Sequence, residues 1–189
     1  MVYIRYVLHG IHTRIYGSRI MNRFIIEHSP IGIAQSLCDQ HVVKMPLEEA
    51  QMLCTSLWHH APDYAKEHNL YKPVHQKHPC TLWAMESRAN YVWAYCLYRA
   101  MLFEYSARYK KTHGASKHFD ALWEGRWHIP CGKFSKHPQC FSGLDDLKTD
   151  EFYPIEAYRK FYIVDKSKFA RYKYTKKPKW MENDELKIA

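Results

Sequence analysis

The sequence predicts an all-α protein: a single compact domain built on three long helices, with an irregular loop insertion. Three observations predict it. Apolar residues recur at threes and fours, most clearly in Leu82, Met85, Ala89, Val92, Cys96, Ala100 and Phe103. Prolines stand where helices begin, in Ser29-Pro30, at Pro79 and in Tyr153-Pro154. No segment alternates polar and apolar residues as a half-buried strand does, and no internal repeat interrupts the pattern.

Residues 1–20 differ from the rest. They carry Arg5, Arg14 and Arg19 and no acid, and their apolar runs are too short for a signal-peptide core. Three readings compete: a start placed upstream of the true one at Met21, a basic arm on nucleic acid, or an organellar targeting peptide. The first sets the expected boundaries, with a dubious extension over 1–20, a helical domain over 21–180 and a loose charged tail over 181–189. Asn22-Arg23-Phe24-Ile25-Ile26 reads as a buried opening segment. The first long helix is expected over about 30–60, with a kink or break at Pro46, which lacks the N–H that would bond Val42. Residues 62–73 read as a polar connector. The second long helix is expected over about 79–111, with the stripe from Leu82 to Phe103 in the core. Residues 113–150 are the least regular, with one short helix over 116–123. The third long helix is expected over 155–174, where Tyr158, Phe161, Tyr162, Phe169 and Tyr172 alternate with lysines and arginines.

The chain carries 28 Lys+Arg against 19 Asp+Glu, a formal net charge of +9, and spreads 15 Tyr and 6 Trp among the basic residues. Basic side chains interleaved with rings suit a polyanion whose bases stack, so DNA is the expected partner. An acidic membrane surface competes, but no basic amphipathic helix or long apolar run supports it, and no membrane association is expected. Six widely spaced cysteines and no secretory signal point to a reducing cytoplasm without disulfides.

One stretch gathers chemistry. In Cys38-Asp39-Gln40-His41-Val42-Val43-Lys44-Met45-Pro46-Leu47-Glu48-Glu49-Ala50-Gln51, the residues His41, Lys44, Glu48 and Gln51 recur at helical spacing. An imidazole, an amine, a carboxylate and an amide on one stripe can donate, accept and transfer protons; most polar stripes of this kind are simply solvated. A carboxylate beside an uncharged amine can make and break an imine at a sugar carbon. Lys44 is one candidate amine, but a lysine starts near pKa ~10.4, whereas an α-amino group starts at about 7.7–8.0 and needs little tuning. A Cys38–His41 nucleophile lacks any residue to orient the base. The pairs His128-x2-Cys131 and His137-x2-Cys140 resemble zinc ligands, but the linker between them is short and Pro130 and Pro138 stiffen both. No metal or organic cofactor is therefore assigned.

Several short pieces occur together in the order found in the phage pyrimidine-dimer DNA glycosylase (endonuclease V) family: Met21-Asn22-Arg23 with Phe24, Asp39-Gln40-His41-Val42-Val43, Glu48 seven residues beyond that histidine, Lys77-His78-Pro79, Glu104, Pro154-Ile155-Glu156-Ala157 and Lys177-Pro178-Lys179-Trp180. The chain from Met21 resembles that family remotely, and also resembles uncharacterised proteins of large phage genomes. The resemblance implies an all-α fold and a glycosylase with abasic-site lyase activity on pyrimidine lesions or modified bases. An α-amine attacks the sugar C1′ and a glutamate assists. Carried over, Glu48 is that glutamate and Asn22 supplies the amine in a chain starting at Met21 with Met21 removed; Lys44 is the substitute. Arg23, His41, Gln51, Lys77, His78, Lys179 and Trp180 are the expected DNA contacts, in a protein expected to be monomeric. The alternative is a basic nucleic-acid-binding protein of phage origin without catalysis.

Overall fold

The computed structural model describes residues 22–141 and 143–182, so the expectations for residues 1–21 and for the tail beyond Glu182 fall outside the described residues. Within them the protein is all-α, with seven α-helices and no strand: α1 (Pro30–Ser36), α2 (Asp39–His60), α3 (Pro62–Glu67), α4 (Pro79–Glu86), α5 (Arg88–Tyr109), α6 (Phe119–Gly125) and α7 (Ile155–Phe161). The two 22-residue helices, α2 and α5, pack along each other and carry the rest. No described helix is long and apolar enough to cross a membrane.

Asn22 to Ile26 run as a buried extended segment, as expected. The first long helix is broken, but at Leu37–Cys38 rather than at Pro46. Arg108 of α5 explains the position. Its guanidinium donates to the carbonyls of Leu37 (2.9 Å) and Gln35 (3.0 Å), which end α1, and pairs with Asp39 (3.1 Å), which opens α2. A cation at one helix end and a carboxylate at the next helix start both suit the helix dipoles. Pro46 sits inside α2, which runs on through it. His113 Nε2 donates to the Val43 carbonyl (3.0 Å) in the turn before the proline.

The second long helix is also two. Ser87 ends α4 and caps α5, its hydroxyl accepting from Asn90 N–H (3.1 Å). The break resets the helical register, so the expected core stripe is wrong: Leu82 is 51% and Phe103 59% exposed, Cys96 is exposed, Ala89 and Val92 are half-buried, and only Met85 and Ala100 are buried. The buried face of α5 is Tyr91, Ala94, Tyr95, Tyr98, Met101 and Leu102. Its tyrosines tolerate burial because their hydroxyls donate to carbonyls, Tyr91 to Leu122 (2.9 Å) and Tyr98 to Ala115 (2.8 Å). The connector after α2 contains α3. The short helix expected over 116–123 appears as a 3₁₀ turn, Gly114–His118, running into α6.

The third long helix stops early. After α7 the chain widens into a π-helical turn, Tyr162–Lys166, and then leaves helical geometry. Residues 169–173 are tied to the start of α2 instead: Asp39 N–H donates to the Arg171 carbonyl (2.8 Å), and Lys173 N–H to the Asp39 carboxylate (2.6 Å). Two apolar clusters fill the interior. One joins Phe24, Leu37, Met101, Tyr158 and Tyr162; the other joins Leu53, Leu57, Trp83, Tyr91 and Leu122. The cleft described next opens beside the first.

Candidate active site

The first half of α2, the opening segment and the π-turn after α7 wall a cleft of about 790 Å³. Asn22, His41, Lys44 and Glu48 all line it. Glu48 lies at its floor with a side chain only 10% exposed. One carboxylate oxygen pairs with Lys44 Nζ (2.8 Å), and the other accepts from the Asn22 backbone nitrogen (3.4 Å). Asn22 is held in turn: its side-chain amide donates to the Cys140 carbonyl (3.1 Å), and its Oδ1 accepts from Tyr158 (3.3 Å). Lys44 is half-exposed, reaching Glu48 from the solvent side.

Three lysines line the cleft, Lys44, Lys166 and Lys168, against Glu48 and Asp165. Lys166 pairs with Asp165 (2.6 Å). Phe24, Phe161 and Phe169 supply apolar wall. A cationic rim over ring faces is what a flipped nucleotide needs, since phosphate and base are met by different groups. Lys166, Lys168 and Phe169 were not singled out from the sequence. Their basic–aromatic alternation was visible, but a regular helix over 155–174 spreads them over several faces, and the π-turn is what re-aims them.

His41 reaches the cleft in a different state from the one expected of a phosphate contact. Burial, with Lys166 and Lys44 nearby, lowers its pKa to about 3, so the ring is neutral. It stacks on Phe24 (4.6 Å between centroids), and its Nδ1 shares a hydrogen bond with the Tyr162 hydroxyl (2.7 Å). That hydroxyl accepts from Cys38 N–H (3.0 Å).

Arg23 requires the largest correction. It is 1% exposed and forms a bidentate ion pair with the fully buried Glu49, so it cannot meet a phosphate. Burial disfavours its charge, but Glu49 more than offsets this and raises its pKa. Its guanidinium lies over the Trp83 ring (4.9 Å). Gln51 is half-buried and outside the cleft. Lys77 lies on a separate shallow hollow with His59, His60 and Met85. His78 caps α4, accepting from Cys80 N–H through Nδ1 (3.2 Å). Lys179 is exposed; Trp180 is half-buried, packs edge-on against Tyr162 and donates to Glu27 (2.9 Å). None of these four is in the cleft lining.

The two zinc-like pairs are not brought together. Cys131 is exposed and His128 packs on Tyr64. His137 is boxed by Trp83, Trp93 and Phe134. Burial, reinforced by the charge of Arg23, lowers the His137 pKa to about 3. Cys140 turns instead to Cys80, Sγ to Sγ 3.4 Å. No protein-family model, curated protein or solved structure matches the chain, so the assignment of its chemistry rests on this geometry and on the residues themselves.

Proposed function

We propose that the protein is a DNA glycosylase with abasic-site lyase activity, acting on pyrimidine lesions or modified bases through an imine. The observation that carries the reading is Glu48, a recessed carboxylate 3.4 Å from the nitrogen of residue 22, in a cleft rimmed by lysines and phenylalanines. In a chain whose first residue is Asn22, that nitrogen is an amine. It attacks the sugar C1′ as the base departs; Glu48 takes up and returns the protons that imine formation and β-elimination require. Longer chains carry a peptide nitrogen there, which is no nucleophile. Lys44 then remains as the only amine beside Glu48 in the cleft among the described residues. The reading places the protein with DNA in the cytoplasm, acting as a monomer.

Borohydride trapping tests it. Protein begun at Met1 and protein begun at Met21 are each incubated with DNA carrying an abasic site or a pyrimidine dimer. A covalent adduct mapped to residue 22 supports the α-amine and one mapped to Lys44 supports the lysine; no adduct from either protein rejects the mechanism.

A second reading, nucleic-acid binding without catalysis, is favoured by a surface away from the cleft. Arg126 lies over Trp123 (3.7 Å) and Trp127 (4.5 Å), and Arg88 over Trp127 (4.8 Å), with Trp127 59% exposed. Such alternating planes stack on bases. Binding that weakens steeply with salt, with no strand cleavage on damaged DNA, supports this reading over the first.

A further inference from the structure

We propose that His78, Cys80 and Cys140 form a zinc site. Their ligand atoms lie within 4.8 Å of one another, and no other cluster of this kind occurs among the described residues. The two sulfurs are 3.4 Å apart, close to the separation of two thiolates sharing one tetrahedral ion with bonds of about 2.3 Å. Two sulfurs and an imidazole are a soft, borderline donor set that selects zinc over magnesium or calcium. Three protein ligands leave one tetrahedral position for water.

The ligands come from places that hold them. Pro79 begins α4 between His78 and Cys80, and its ring fixes the backbone linking them. Cys140 belongs to an irregular segment, but its N–H donates to the Tyr158 hydroxyl (3.2 Å) and its carbonyl accepts from Asn22 (3.1 Å). Cys80 is fully buried, and Cys140 is half-buried at the edge of the cleft. Bound zinc would clamp the start of α4 to the segment that positions Asn22. This inference does not rest on the glycosylase reading, because it concerns metal content rather than turnover.

The test uses the full chain, purified with reductant and without chelator, then dialysed against zinc chloride. Zinc is counted by mass spectrometry, and cobalt(II) is loaded in parallel for absorption spectra. The expected result is one zinc per chain, at least tenfold reduced in Cys80→Ser and in Cys140→Ser and retained in Cys131→Ser, with a thiolate-to-cobalt charge-transfer band in the unaltered protein. Zinc absent from the unaltered protein, zinc unchanged in both serine variants, no cobalt–thiolate band, or a Cys80–Cys140 disulfide in its place would each overturn the proposal. The cobalt band needs no variant to fold.

Discussion

Glu48 and Glu49 are consecutive carboxylates on one turn of α2, and they end in opposite surroundings. Glu48 opens onto the cleft, beside a half-exposed lysine and the nitrogen of residue 22. Glu49, about 100° further round the helix, is sealed inside against a sealed arginine. The first can exchange protons with whatever enters the cleft. The second is locked to one partner and fastens the opening segment to α2. A residue's type, and even its neighbour, decide less than which side of the helix it leaves.

The contrast can be broken in order of effect. Glu49→Gln leaves the Arg23 charge buried without its counterion and should lower unfolding free energy by about 3–5 kcal/mol in urea denaturation. Glu48→Gln should slow cleavage by about 10²–10⁴-fold while DNA affinity changes little; its stability loss should stay within about 1 kcal/mol, because Lys44 is half in water. Equal stability losses in the two variants would erase the distinction.

Acid gives a smaller, graded effect. His41 and His137 are neutral in the fold, with pKa values of about 3 against about 6.5 unfolded. Below pH ~6.5 the unfolded chain therefore binds more protons, so stability falls as pH falls toward 3. Each histidine should remove about 2 kcal/mol between pH 6.5 and 5, and His41→Phe should flatten the slope by its share. The smallest effect is expected at Gly132, where an added Cβ would lie 2.7 Å from the Ser87 side chain. Gly132→Ala should cost about 1–2 kcal/mol in thermal unfolding and leave cleavage intact.

What could be read ahead followed regular geometry. His41, Lys44 and Glu48 meet in one cleft because α2 is an uninterrupted helix and their spacing keeps them within one broad stripe. Gln51 lies too far along: ten residues at a rise of about 1.5 Å each carry it about 15 Å down the axis from His41. The breaks at Cys38 and Ser87 depend on Arg108 and on a serine cap, which no periodicity reports. Lys166 and Phe169 depend on a π-turn that sequence spacing hides. Arg23 is a phosphate ligand only by the family resemblance; its partner, 26 residues on, can be seen only in three dimensions. The pairing of Cys80 with Cys140, 60 residues apart, was equally out of reach.

The Tyr162 hydroxyl is a buried junction between elements. It meets the Cys38 N–H (3.0 Å) and His41 Nδ1 (2.7 Å), and so ties the imidazole to the break between α1 and α2. The ring it holds lines the cleft. With burial holding its pKa at about 3, that ring stays uncharged between pH 5 and 8, so histidine here gives the cleft shape and hydrogen-bonding capacity rather than charge.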